Sequence, residues 1–322
     1  MFRRGFLLLW LAVVTTSWAA GKPNIVLITL DSTRADRMGF LRSDQKLTPA
    51  LDALSRESMV FEHAYAQAPS TVVSHATILT GTYPQTTQIS EAGSLLSASL
   101  PYLPDLLRAQ KYRTAAFVGS LALDPRNGMA PGFDRGFDHC ETGFRGPLAI
   151  GQADKRSAAA VVAQAAAWLA RNPQRPFFLW LHFADPHAPH GASYDSAVRS
   201  SDAAAGKFLG TLRSQGLYDN TLVAVAADHG ESLGAHGEDT HGIFLYDETV
   251  HVPLLLKLPG NQMAGKRVAA KVRLVDIAPT ILEVAGVPVP SQMQGQSLLR
   301  IAKSNADQPA YSRSDFPQRA FG

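Results

Sequence analysis

Two apolar runs that each stop abruptly on an acidic residue constrain this chain more than any other feature. Asn24-Ile-Val-Leu-Ile-Thr-Leu30 is nearly all apolar and β-branched, and it ends at Asp31. Thr221-Leu-Val-Ala-Val-Ala-Ala227 is of the same kind and ends at Asp228-His229, with Gly230 and Glu231 following. Runs without polar alternation are expected of strands buried on both faces, as in parallel sheets. Strand-like and helix-like segments alternate from Asn24 to Ala285. The expected fold is therefore α/β, a doubly wound and mostly parallel sheet with helices on both faces. In such sheets ligands gather beyond the carboxyl ends of the strands. Asp31, Asp228 and His229 fall there. A plainer reading makes Asp228 a helix cap and His229 a turn residue.

Between these runs the pattern predicts a helix over Thr48–Arg56, with Pro49 at a first helical position, and a strand over Val60–Ala66. Pro69 and Ser70 then break the chain. A helix is expected from Thr71 to Leu79, with Gly81 as its C-terminal cap. Thr71 lies at that helix's N-terminal end, where the dipole and free amides favour an anion; alternatively Thr71 or Ser74 serves only as an N-cap. Leu103–Ala109 reads as helix, Thr114–Val118 as strand, and Asp124–Gly143 as a loop rich in glycine and proline. The alanine-rich Lys155–Arg171 should be helical. The strand Phe177–His182 runs into Phe183-Ala-Asp-Pro-His-Ala-Pro-His190, whose prolines keep His187 and His190 off any helix. Helices over Tyr194–Gln215, Phe244–Val250 and Leu274–Ala285 and a strand over Val252–Leu258 complete the pattern.

With 322 residues, 46% hydrophobic and 18% charged, the chain suits one large α/β domain or two modest ones. The formal net charge is +3, and Arg3 and Arg4 lie in a leader, leaving +1 beyond it. Net charge therefore gives no argument for nucleic acid as a partner. Residues 1–20 read as a Sec-type secretory signal: Arg3 and Arg4, an apolar Phe6–Val14, then small residues at Ser17, Ala19 and Ala20. The apolar run is shorter than the roughly 20 residues of a spanning helix, so no stable membrane span is expected after cleavage. Cys140 is the single cysteine, which excludes an internal disulfide. Export without disulfides fits a bacterial periplasm or secretion. Nothing in the pattern reports oligomeric state or the organic part of a substrate.

Chemistry-bearing residues gather after expected strands: Asp31, Thr71, His187, and Asp228-His229 with His241 beyond. Asp31, Asp228, His229 and Thr71 supply two carboxylates, an imidazole and a hydroxyl, a four-donor set for one divalent metal. Zinc or manganese suits that mixture, with calcium possible. Such a metal would lower the pKa of the Thr71 hydroxyl and make it a nucleophile, while His187 and His241 act on the transferring group or the leaving oxygen.

The order of segments resembles the sulfatase family of the alkaline phosphatase superfamily, over Pro23 to about Ser297. Pro23-Asn24-Ile25-Val26 through Asp31 resembles its first strand and first metal aspartate. Thr71–Gly81 resembles its nucleophile helix, usually Cys/Ser-x-Pro-x-Arg ending in Leu-Thr-Gly. Asp185-Pro186-His187 resembles its Pro-His loop, and Asp228-His229-Gly230-Glu231 with Leu233-Gly234-x-His236-Gly237 its Asp-His/Asn-Gly-Glu signature. Tyr246-Asp247-Glu248, Val252-Pro253-Leu254 and Asp276-Ile277-Ala278-Pro279-Thr280 match later markers.

The departures bear on the chemistry. The resemblance implies a cysteine or serine converted to formylglycine, and threonine at 71 cannot become that aldehyde. Val73 and His75 replace the motif's proline and arginine, Ser32 stands where a second metal aspartate is common, and Phe117-Val118-Gly119-Ser120 lacks the family's sulfate-holding lysine. What remains resembles the superfamily's threonine-nucleophile branch of phosphoethanolamine-transferase-type enzymes and phosphodiesterases. The expected function is a secreted metallo-hydrolase of sulfate or phosphate esters, with phosphate mono- or diester hydrolysis or phosphoryl transfer favoured by Thr71. The alternatives are a sulfate-ester hydrolase without formylglycine and an inactive binding module or fragment. The expected organisation is a signal over 1–20, a catalytic domain over 21–300, and a tail over 301–322. In that tail Tyr311-Ser-Arg-Ser-Asp315 resembles the lead-in to a C-terminal subdomain and reads as the start of an incomplete one.

Overall fold

The computed structural model describes residues 21–41, 44, 46–144, 155–172, 176–187 and 193–315. The leader over 1–20 and His190 lie outside the described residues. Among the described residues eight strands form one sheet: β1 (Asn24–Leu30), β2 (Met59–Tyr65), β3 (Arg113–Val118), β4 (His139–Glu141), β5 (Phe177–Phe183), β6 (Thr221–Ala227), β7 (His251–Lys257) and β8 (Arg267–Arg273). Their order is β4-β3-β5-β1-β6-β7-β2-β8.

Every residue of β1, β5 and β6 is buried, as their unbroken apolar sequences require. β1 pairs in parallel with β5 on one side and β6 on the other. The register aligns Leu30 with both Phe183 and Ala227, so the next residues leave the sheet together. Asp31 N–H still donates to Phe183 O at 2.9 Å, which holds the aspartate against the sheet's end. Two groups of mutually packed helices cover the sheet. One contains Pro49–Ser55, Ala158–Arg171 and Tyr194–Ser214; the other contains Thr71–Thr80, Leu103–Ala109, Ile277–Ala285 and Leu298–Ser304.

Several elements depart from expectation. β7 runs antiparallel to both β6 and β2. The segment between β6 and β7 holds no helix longer than Asp247–Val250, so the chain turns back at the same end of the sheet instead of crossing over. That helix is also shorter than Phe244–Val250, because the Glu238 carboxylate accepts from the amides of Ile243 (2.7 Å) and Phe244 (3.3 Å) and holds them as loop. β8 was not expected at all: Arg-Val-Ala-Ala-Lys-Val-Arg buries alternate side chains, as an edge strand does. The helix expected from Lys155 begins at Ala158, capped by Ser157 Oγ, which accepts from Ala160 N–H.

Gly230 closes the turn after β6 by close approach. A Cβ there would lie 1.9 Å from the carbonyl oxygen of Glu248, and its own amide donates to Thr249 O at 2.8 Å. Backbone cannot yield as a side-chain tip can, so Gly230→Ala should lower the melting temperature by several degrees, a cost of about 1–3 kcal/mol or more. A thermal scan of the two proteins checks this; equal melting temperatures would show that the turn has slack.

Candidate active site

The carboxyl ends of β1 and β6 carry Asp31 and Asp228-His229, and the Thr71–Thr80 helix brings its first residue against them. The cap position belongs to Ser70, whose side chain makes no capping bond. The Thr71 hydroxyl points into the site instead. It lies 3.2 Å from Asp31 Oδ1 and 3.2 Å from His229 Nε2. Ser74 is no cap either: its hydroxyl donates to the Asp228 carbonyl at 2.5 Å, fastening the helix to the end of β6. The first amides of the helix lack intrahelical partners and are uncapped, so they are free to receive an anion.

Asp31, Asp228 and His229 offer ligand atoms that lie within 4.8 Å of one another. His229 Nε2 is 3.7 Å from Asp31 Oδ1 and 3.6 Å from Asp228 Oδ2. His229 Nδ1 faces Gly230 O at 2.8 Å, so that nitrogen carries the proton and Nε2 presents a lone pair to the centre. Asp228 Oδ1 accepts from the amides of His229 (2.8 Å) and Ser32 (3.1 Å). Asp31 Oδ2 and Asp228 Oδ2 are fully buried with no hydrogen-bond partner. Two neighbouring buried carboxylates, each with an unpaired oxygen, are costly without a cation. These residues fit a divalent ion.

The electrostatics agree. Burial raises the pKa of Asp31, but His182, His187 and His229 around it outweigh burial and hold its carboxyl well below the usual range. Burial, reinforced by the charge of Asp31, pushes Asp228 well above it. His229 is held well below the ordinary histidine range, first by burial and then by His241. A neutral imidazole is the form that ligates a metal.

His187 and His241 stand at the open side. Their rings are 5.0 Å apart, and that of His241 is 4.3 Å from that of His229. His241 Nδ1 pairs with Glu231 Oε1 at 3.1 Å, and this bond and charge overcome burial and raise the His241 pKa. His187 is lowered by burial. Ser32, at φ 52°, connects the groups: its hydroxyl lies 3.3 Å from Asp31 Oδ1 and 3.0 Å from His187 Nδ1. Tyr194 OH donates to Ser32 O at 2.7 Å and helps hold this left-handed serine. Thus Asp31, Thr71, His187, Asp228, His229 and His241 all meet in one place.

Two further histidines were not anticipated. His75, one turn along the Thr71–Thr80 helix, and His182, near the end of β5, are fully buried beneath the carboxylates. His75 Nδ1 is 3.4 Å from Asp228 Oδ2, and His182 Nε2 is 3.5 Å from Asp31 Oδ2. A histidine at the carboxyl end of an apolar strand was the available signal for His182.

The sulfatase family model matches residues 23–287. This chain belongs to the sulfatase family. It is 28% identical over 335 residues to an ulvan-active sulfatase of Formosa agariphila, covering 88% of this chain and 65% of that protein, so it spans somewhat under two thirds of that relative's length. Among solved structures it is similar to a phosphonate monoester hydrolase of Agrobacterium radiobacter, with a TM-score of 0.72, 20% identity, and 91% of this chain and 79% of that chain covered. It is also similar to an alkaline phosphatase superfamily protein of Vibrio parahaemolyticus, with a TM-score of 0.67, 22% identity, and 87% and 70% of the two chains covered. These structural likenesses show the fold, a mostly parallel α/β sheet flanked by helices. Among the described residues no helix is long and apolar enough to cross a membrane.

Proposed function

We propose that this sulfatase-family chain is a metal-dependent hydrolase or group transferase of sulfate- or phosphate-type esters, with Thr71 as its nucleophile. The observation that supports this best is the Thr71 hydroxyl at 3.2 Å from both Asp31 and His229, on the first residue of a ten-residue helix. Asp31, Thr71, Asp228 and His229 would hold the cation, zinc or manganese being favoured by the mixed donors and calcium possible. When bound there, a divalent cation lowers the pKa of the hydroxyl and offsets the negative charge of the ester.

The chain's own residues do the rest. The uncapped helix amides receive the ester's anionic oxygens. Thr71 Oγ1, its proton given up to solvent beforehand, forms a bond to phosphorus (or sulfur) as the bond to the leaving oxygen breaks, and protonated His241 gives that oxygen its proton. Water or an acceptor alcohol then attacks the Thr71 adduct, His241 takes the proton back, and Thr71 is released. His187, neutral and hydrogen-bonded to Ser32, flanks the transferring group. Environments that push His187 and His241 apart in pKa suit such a division of roles.

Phosphorus is favoured because a phosphothreonine can be broken by in-line attack, whereas threonine cannot supply the formylglycine route that the family resemblance implies. Sulfate-ester cleavage is the second reading, favoured by the relative named an ulvan-active sulfatase. Read as a secretory leader, 1–20 supports export to the periplasm or beyond, and 21–300 would form the catalytic unit, with 301–322 as a tail. Side-by-side assays of nitrophenyl sulfate, phosphate and phosphodiester with added zinc, manganese or calcium test the reading. Turnover of a phosphodiester with an adduct on Thr71 supports it; turnover of the sulfate alone moves the choice to the second.

The pH dependence carries a separate expectation. His241 must be protonated to act as an acid, and Glu231 keeps it so at higher pH than burial alone would allow. Glu231→Gln removes that charge, lowers the pKa of His241, and should move the alkaline limb of the rate profile to lower pH. An unmoved limb would take the acid role away from His241.

A further inference from the structure

We infer that His75 is a positioning residue whose Nδ1 edge, hydrogen-bonded to the backbone of the nucleophile, also stands against the carboxylate of Asp228 and holds it electrostatically. The inference rests on the reading of Thr71 as nucleophile and Asp228 as cation ligand. Its starting point is a chain of buried hydrogen bonds with only one workable direction. The indole N–H of Trp180 can only donate, and it lies 3.0 Å from Thr29 Oγ1. The Thr29 hydroxyl therefore keeps its own proton for His75 Nε2, also 3.0 Å away. At the other end His75 Nδ1 is 2.7 Å from Thr71 O, and a carbonyl can only accept. The Thr71 carbonyl thus puts the proton on Nδ1, and Nε2 of the neutral ring accepts from the Thr29 hydroxyl.

Nδ1–H is given to Thr71 O at 2.7 Å, and the same nitrogen stands 3.4 Å from Asp228 Oδ2, an electrostatic contact and not a second hydrogen bond. Asp228 Oδ2 has no full hydrogen-bond partner, and its distance to His229 Nε2 is 3.6 Å. The positive Nδ1–H edge is therefore a group against which Asp228 is held relative to the first turn of the helix that presents Thr71. His75, Trp180, Thr29 and Asp228 are all fully or almost fully buried, so no water replaces a lost donor cheaply. Groups that orient the ligands of a metal commonly change its affinity by about 10- to 100-fold when removed.

The test compares His75→Leu, which fills the space without a donor, with His75→Asn, whose amide nitrogen can stand near the Nδ1 position. Manganese and zinc are titrated into the metal-stripped full chain by calorimetry, and kcat and KM are measured on whichever nitrophenyl ester the parent turns over. His75→Leu should weaken cation affinity about tenfold or more and lower kcat more than it raises KM, with His75→Asn recovering most of the affinity. Equal affinity in His75→Leu and the parent overturns the inference, and so does a His75→Asn as weak as His75→Leu, which would mean packing alone. If His75→Leu does not fold, His75→Phe decides, since it keeps the shape of a ring and offers neither nitrogen. A weakened cation supports the role and parent-like affinity overturns it. Asp228→Asn is the control: were it to leave affinity untouched, the reading of the site itself would fail, whatever His75 does.

Discussion

Thr71→Ala should lower turnover by about 10⁴-fold or more while leaving the fold and the cation-free melting temperature near those of the parent. The change removes one hydroxyl from a side chain whose backbone is held independently, by His75 Nδ1 on its carbonyl and by the start of the helix. The helix keeps its uncapped amides, so the variant should still bind an anionic ester. Steady-state assays with an activated phosphodiester and peptide mass spectrometry check the two halves of the expectation. The parent should yield a peptide covering Thr71 with a phosphoryl adduct, and the variant none. A variant as active as the parent would remove Thr71 from the chemistry.

The second large effect is a change of sign. In the cation-free protein Asp31 and Asp228 oppose one another, and burial together with the charge of Asp31 holds Asp228 well above its ordinary pKa. A carboxyl whose pKa rises on folding binds a proton more tightly in the folded state. It therefore costs stability as pH climbs from its unfolded value near ~4 through the raised one. Asp228→Asn removes that charge and keeps an oxygen to accept from the Ser32 and His229 amides. Without cation at neutral pH the variant should melt at or above the parent's temperature. With cation at roughly a thousandfold over its Kd, the parent should gain about 4 kcal/mol, a rise of several degrees. The variant should gain far less, so the order reverses. Differential scanning calorimetry of both proteins, stripped and loaded, checks this. Equal gains on loading would remove Asp228 from the ligand set.

Much of the site is legible in sequence because it lies at boundaries that composition marks. Asp31 and Asp228-His229 interrupt apolar runs, and Pro69-Ser70 marks the start of the helix that carries Thr71. Such signals are one-dimensional, and the parallel pairing of β1 with β6 turns them into proximity. His75 and His182 are different. One sits in the middle of a helical pattern and the other at the end of an apolar strand, where a buried histidine is ordinarily a core residue. Only the alignment of β5 with β1 and the docking of the helix put them under the carboxylates. Ser32 is a third case: the absence of a second aspartate was visible, but its bridging of Asp31 and His187 depends on a left-handed backbone that sequence did not signal.

The sheet divides along the same line. Its buried centre of β1, β5 and β6 follows from unbroken apolar runs, whereas the direction of β7 follows from what lies between two strands. The sequence pattern places a helix over Phe244–Val250 between those two strands. Glu238 instead holds its amides in loop, leaving one short helix and an antiparallel return. β8 escaped notice because two arginines and a lysine share its seven residues, all acceptable on an edge with one solvated face.

Anomalous diffraction from crystals loaded with zinc or manganese bears most directly on the cation site. Besides Asp31, Asp228 and His229, the clusters His75–His182–Asp228 and His187–Glu231–His241 also offer grouped ligand atoms. A dominant peak bonded to Asp31, Thr71, Asp228 and His229 together is the expected result. A dominant peak on either of the other clusters, with Thr71 outside the coordination sphere, would contradict it.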